Sequence, residues 1–254
     1  YHMIWTSHHI LMDGWSTSRL FAEVMQHYAG KPVSGSVGRY GDFIAWLQAQ
    51  DKGRQEAFWR ESLAGVEPTL LAQTIHPRHS ANETGHNALY SRWDKAWTTR
   101  LQDYCRNLRV TPNTVIQGAW LLLLQRYTAK SAVTFGATVA GRPESLPGAD
   151  STLGLFINTL PVSQELDPTA CLGDWLRDLQ AYNLELRNWS HTPLNDVQRW
   201  SGTPGQTLFD SIIVFENYPI DESMRESSDA EVGFGESSGV GVTNVPMDLA
   251  VHLN

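Results

Sequence analysis

Cysteine is almost absent: Cys105 and Cys171 are the only two in 254 residues. Two cysteines in a chain of this length build no disulfide framework, and without a Cys-x-x-Cys pair there is no zinc-ligand spacing either. That usage fits a reducing compartment, and a cytoplasmic location is expected. Clusters of Lys and Arg are also lacking. The formal net charge is −8 and the pI is near 5.5, whereas phosphate contacts need concentrated positive charge, so no nucleic-acid partner is expected. No apolar run approaches the roughly 18 residues of a membrane-spanning helix, so no membrane partner is expected. No charged segment followed by an apolar core stands at the start, which argues against a secretory signal. What the chain does have is apolar material, 41% of its residues with 10 Trp, ample for the core of one large or two ordinary domains.

Hydrophobic periodicity predicts a mixed architecture. Residues 1–5 read as a strand. Leu20, Phe21, Val24, Met25 and Tyr28 recur at helical spacing over 15–28, and Gly30 and Pro32 stop that helix. Further helices are expected over 40–50, with Phe43, Trp46 and Leu47 on one face, and over 54–63. Residues 67–84, with Pro68, Pro77 and little periodicity, read as a linker, and a lobe boundary is placed at residues 75 and 76. A strand over 87–93 and a helix over 95–108 come next. Thr111 caps, and Pro112 opens, a helix running to about 127; it is apolar on most faces and is expected between other layers. A buried strand over 132–139 is broken by Gly141-Arg142-Pro143, and another over 155–162 is expected to end near Pro161. An amphipathic helix over 172–186 and a short helix over 191–200 precede an apolar strand at 209–215. Residues 221–241 read as an acidic, Ser- and Gly-rich loop with a short strand near 232–234, and a last strand lies at 249–253. Helix-rich segments between strands give the class α/β or α+β.

One stretch is unusual: His8-His9-Ile10-Leu11-Met12-Asp13-Gly14-Trp15-Ser16, at an expected strand-to-helix junction. Histidine is the side chain that most readily exchanges a proton near neutral pH. Asp13 is placed to orient an imidazole, to pair with an Arg elsewhere and lock the turn, or to cap the following helix. Gly14 permits a backbone that other residues resist, and its amide could face a substrate oxygen. The plain alternative is that one His packs, the other is solvated, and Asp13 only caps.

The stretch resembles the HHxxxDG motif of condensation domains of nonribosomal peptide synthetases. Other segments resemble the same family in the same order. Tyr40-Gly-Asp-Phe-Ile-Ala-Trp46 is similar to its Tyr-x-Asp-Phe/Tyr-x-x-Trp segment. Phe135-Gly-Ala-Thr-Val-Ala-Gly-Arg-Pro143 resembles its strand ending in Gly-Arg-Pro, and Gly154-Leu-Phe-Ile-Asn-Thr-Leu-Pro161 its Gly-x-Phe-x-Asn-Thr segment. His191-Thr-Pro-Leu-Asn-Asp-Val-Gln198, and the block from Phe209-Asp-Ser to Phe215-Glu-Asn-Tyr-Pro219, are similar to its later segments.

The resemblance implies a chloramphenicol acetyltransferase-like fold of two sheet-and-helix lobes, with a tunnel between them as active site. Residues 1–75 would be the back half of the first lobe and 76–254 the second, with the first lobe's opening segments and the second's closing strands missing. The implied reaction is amide bond formation between a donor thioester on an upstream peptidyl carrier domain and the α-amine of an acceptor on a downstream one. An adenylation domain would neighbour them. The substrates ride on the carriers' phosphopantetheine arms, and neither a cofactor nor a metal is expected on the domain itself. The match places His9, Asp13 and Gly14 in the catalytic motif, with two roles open for His9: general base taking the amine proton, or a hydrogen-bonder that holds the amine and the tetrahedral intermediate. It makes His8 a support and pairs Asp13 with Arg142, while Asn158 and Ser16 are candidate substrate contacts. Leu11-Met12 and the His-Thr-Pro-Leu segment resemble domains taking an L-configured donor, and His8 speaks against the cyclisation branch, which carries Asp there. Three other readings stay open: an epimerisation domain, a coenzyme A-dependent acyltransferase of the same fold, and a non-catalytic carrier-docking fragment.

Overall fold

The signals that start and stop helices in this sequence act where they stand. The computed structural model describes residues 5–32, 38–74, 87–202, 205–216 and 243–253. Asp13 caps α1 (Gly14–Tyr28), its Oδ1 accepting from the Ser16 amide at 2.8 Å. Gly30 ends it at φ 68°, the left-handed residue that closes a helix most cheaply. The second helix, α2 (Tyr40–Gln48), buries Phe43. After it come α3 (Lys52–Ser62) and the single turn α4 (Leu71–Thr74). Asp94 caps α5 (Lys95–Leu108), and Thr111 caps α6 (Pro112–Thr128) with Pro112 in the first turn. Later in the chain are α7 (Leu172–Arg187) and α8 (Leu194–Trp200).

Four strands form one sheet among the described residues: β1 (Ala132–Ala140), β2 (Ile157–Glu165), β3 (Ser211–Glu216) and β4 (Met247–His252), in the order β2-β1-β3-β4. β1 runs parallel to β3 with Gly136 opposite Ile212, and β3 runs parallel to β4 from Ser211 opposite Met247 to Glu216 opposite His252. Mixed helices and strands with parallel pairing bear out the α/β expectation.

The chain groups into two compact units. The first comprises the described residues of Tyr1–Asp51 and Ala140–Ile157. The second comprises those of Lys52–Val139, Asn158–Glu216 and Gly241–Asn254. The core of the second holds Trp59, Leu121, Leu124, Val133, Phe135 and Leu179, with α3 packed on α8 and α6 on α7. These units do not divide at residues 75 and 76: α3 and α4 belong with the segments C-terminal to them, and residues 140–157 return to α1 and α2.

Other expectations need correction. Residues 87–93 form no strand; Leu89 and Tyr90 are 97% and 90% exposed. Strand preference depends on a neighbouring surface to pack on, and none of the described strands pairs with this segment. Pro161 does not end β2 but lies inside it, tolerable because among the described residues β2 is an edge strand with one side free of ladder bonds. α6 is not enclosed on all faces: Leu121 and Leu124 are buried while Leu122 and Leu123 are exposed. The expected linker contains α4 and a bridge from Thr69 to Phe209. The strand at residues 1–5 falls almost wholly outside the described residues, and the loop at 221–241 with its short strand entirely so; Trp5 itself is in no strand. No helix among the described residues is long and apolar enough to cross a membrane.

Candidate active site

Among the described residues, the hydrogen bonds that fix the histidine-bearing turn come from the first unit. The His8 carbonyl accepts from the Leu11 amide at 3.0 Å, and the His8 Nδ1 accepts from the Ile10 amide at 3.1 Å. His8 therefore spends one ring nitrogen on its own turn. His9 stands exposed at the same turn, and no group among the described residues hydrogen-bonds its imidazole.

Asp13 is the anchor. Its side chain is 2% exposed, and its two oxygens meet three donors. Oδ1 accepts from the Ser16 amide at 2.8 Å and from Arg142 Nη2 at 3.3 Å; Oδ2 accepts from the Phe156 amide at 3.0 Å. Capping and pairing, which stood as alternatives, are performed by one carboxylate. Arg142, with its side chain 9% exposed, also donates to the Ala149 carbonyl, to the Thr152 carbonyl at 2.8 Å and to Ser16 Oγ at 2.8 Å. Its guanidinium carbon lies 4.0 Å from the centroid of the Phe156 ring. Burial pushes the guanidinium below its usual value, and the adjoining Asp13 carboxylate acts the other way. A buried charge held by a partner of opposite sign and by several hydrogen bonds is the arrangement that burial permits.

The remaining residues fall into place with two corrections. Ser16 is fully buried, and its hydroxyl donates to the Gly154 carbonyl at 2.8 Å while accepting from the Gly154 amide at 3.1 Å and from Arg142. Its bonding capacity is used inside the fold, so Ser16 is no substrate contact. Asn158, in the second unit, is likewise committed. Its Nδ2 donates to the Ser190 and Thr192 carbonyls at 2.9 and 2.6 Å, and its Oδ1 accepts from the Thr159 amide. Asp13 itself offers no free oxygen toward solvent and holds the turn rather than touching substrate. Gly14 is the first residue of α1 with ordinary helical backbone, not the unusual conformation expected.

His191 sits between the two carbonyls that Asn158 holds. Burial pushes its imidazole below the ordinary value. The unfolded chain then takes up the proton first as pH falls, so the stability that neutral His191 preserves is lost below about pH 6.5. Melting temperature should decline on acidification below about pH 6.5, and His191→Gln should flatten that decline. Parallel curves for the two proteins would remove His191 as its source.

Sequence reasoning did not single out Tyr40 or the backbone of residues 154–156, yet these complete the site. The Tyr40 hydroxyl donates to the Leu155 carbonyl at 2.7 Å, and its ring meets Phe156 edge-on at 5.5 Å and Phe43 at 5.6 Å. Burial first, then the Asp13 charge, push the Tyr40 phenol up. The signal was present in the Tyr40 and Gly154 segments, which resemblance marked as blocks without giving their members separate roles.

The family match and the curated relatives point the same way. The condensation domain family matches residues 1–253. The chain is 40% identical over 260 residues to chondramide synthase cmdD of Chondromyces crocatus, a match covering 99% of this chain and 6% of that protein. It is 32% identical over 240 residues to bacitracin synthase 3 of Bacillus licheniformis, covering 92% of this chain and 4% of that protein. Among solved structures, the condensation domain from the monacolin K polyketide synthase MokA superposes with a TM-score of 0.66 at 20% identity, over 82% of this chain and 52% of that one. The first condensation domain of the calcium-dependent antibiotic synthetase, in complex with a substrate analogue, gives a TM-score of 0.65 at 20% identity, over 83% and 48%. The chain thus spans a small part of the synthetases it matches and about half of the solved chains. The fold is that of these domains, the chloramphenicol acetyltransferase-like fold expected from the sequence. With a buried Asp13–Arg142 pair holding its HHxxxDG turn, and with that match from end to end, the chain belongs to the condensation domain family.

Proposed function

We propose that this chain carries the acyl-transfer site of a condensation domain in nonribosomal peptide synthesis. The α-amine of an aminoacyl group on a downstream peptidyl carrier domain attacks the thioester carbonyl of an aminoacyl or peptidyl group on an upstream one. A C–N bond forms and the C–S bond breaks. The thiol of the upstream phosphopantetheine arm leaves, and the amine gives up a proton. Tethering raises the effective concentration of both reactants, so positioning supplies much of the rate. The domain needs no cofactor of its own for this, and a neighbouring adenylation domain and a cytoplasmic setting belong to the reading.

One observation carries the proposal: of the motif's side chains, His8 and Asp13 are bound into the turn and His9 is presented from it. Because Asp13 is engaged by Arg142 and two amides, it does not orient the imidazole. That supports His9 as the group that holds the attacking amine and the tetrahedral intermediate. An α-amine of pKa about 7.7–8.0 is already substantially neutral near pH 8. The Gly14 amide is the candidate to face the thioester oxygen. Leu11-Met12 and the segment from His191 to Leu194 support an L-configured donor, and His8 speaks against the cyclisation branch.

The test uses the complete domain between loaded carriers. His9→Ala should slow dipeptide formation roughly a hundredfold with carrier binding unchanged, and an L-loaded donor should outpace its D counterpart. Product at near the original rate would remove His9. Preference for the D donor would remove the L assignment, and racemisation in place of condensation would favour the epimerisation reading.

A further inference from the structure

We infer that Tyr40 and Gly154 form a stop that sets the position of the His8-His9 turn, which makes Tyr40 a positioning residue for the condensation proposed above; the inference rests on that reading. Residues 154–156 act as a two-sided ribbon. One side is bonded to the turn: the Gly154 carbonyl accepts from the Asp13 amide at 3.2 Å and from Ser16 Oγ, the Gly154 amide donates to Ser16 Oγ, and the Phe156 amide donates to Asp13 Oδ2. The carbonyl of the residue between them, Leu155, instead accepts from the Tyr40 hydroxyl at 2.7 Å. The polar groups of Gly154 and Phe156 thus meet the turn while the Leu155 carbonyl meets α2, so one segment is gripped from both.

The grip is steric as well as polar. A Cβ added to Gly154 would overlap the Tyr40 ring, whose Cδ2 and Cε2 lie against it. Gly154 does not sit at a left-handed φ, so what requires glycine here is the space taken by Tyr40, not a backbone conformation. Tyr40 in turn is seated by Phe43 and Phe156, rings that pack on each other at 4.4 Å. The Phe156 carbonyl is fixed from another side by the Gly141 amide at 3.1 Å. Position is therefore passed from α2 through Tyr40 to the ribbon, and from the ribbon through four hydrogen bonds to the turn. A turn held this way moves if the ribbon moves, and misplacing a reacting group by about 1 Å can cost on the order of a hundredfold in rate.

The experiment is single-turnover condensation by the complete domain, in excess over donor- and acceptor-loaded carriers. Tyr40→Phe removes only the hydroxyl, and Gly154→Ala adds only the methyl. Amplitude reports the competent folded fraction, the rate constant reports the chemistry, and a carrier titration reports binding. Tyr40→Phe should lower the rate constant about tenfold, and Gly154→Ala further, with amplitude and carrier affinity unchanged. A wild-type rate constant with reduced amplitude or melting temperature would make Tyr40 merely structural and overturn the inference. Should Gly154→Ala not fold, Tyr40→Phe decides alone. His9→Ala is run alongside. If it is slow while Tyr40→Phe is not, the positioning inference fails and the functional reading stands. If His9→Ala matches the wild type, the functional reading fails, and the inference with it.

Discussion

Replacing Arg142 with Ala should destabilise the complete domain by about 3–5 kcal/mol, the cost of breaking a buried ion pair from one side. The magnitude reflects what is left behind. The Asp13 carboxylate, 2% exposed, would keep its two amide donors and lose its counter-charge. The Ala149 and Thr152 carbonyls and Ser16 Oγ would each lose a donor in a region without ready access to water. Arg142→Lys should recover only part of the loss, since a single ammonium cannot reproduce a planar fork that reaches four acceptors. Denaturant unfolding of the three proteins checks this. A change below about 0.5 kcal/mol for Arg142→Ala, the range of ordinary surface substitutions, would show that the pair carries no stability.

A comparable loss is expected in the second unit from Trp59→Ala, again about 3–5 kcal/mol, the usual range for deleting a buried large aromatic. Trp59 is fully buried in the core cluster that also holds the sheet residues Val133 and Phe135, with the Phe58 ring edge-on at 5.2 Å. No acceptor among the described residues meets its indole Nε1. Its contribution is therefore packing and not hydrogen bonding, and Trp59→Phe should cost much less than Trp59→Ala, because it keeps most of the apolar volume and removes an unpaired N–H. Equal losses from the two substitutions, measured by the same unfolding experiment, would overturn that division.

The two sites also mark where the sequence could be read and where it could not. Local signals were legible. Asp13 as a candidate cap, Thr111 as a helix cap and Gly30 as a helix end need only a few neighbouring residues to act, and their helices lie within a few residues of the expected bounds. The link from Asp13 to Arg142 spans 129 positions and was reached only through family resemblance; nothing in spacing or periodicity could show it. Pro161 and residues 87–93 misled for one reason. Whether a proline ends a strand, or an apolar segment becomes one, depends on which strand lies alongside, and that is a property of the sheet. Asn158 and Ser16 misled for another. A polar side chain beside a motif is equally suited to substrate or to backbone, and only the positions of the Ser190, Thr192 and Gly154 carbonyls decide between them.

The saturation of the Ser16 hydroxyl and the Asp13 carboxylate bears on how such synthetases can be recombined. All the long-range hydrogen-bond partners of these two side chains, among the described residues, lie within residues 142–156. A chimera that takes residues 8–16 from one parent and 142–156 from another joins two surfaces that were never selected together, at a buried place. Exchange points chosen on linear sequence alone would often separate them. The heritable unit of this site is a pair of distant segments, and hybrid enzymes should inherit both from the same parent.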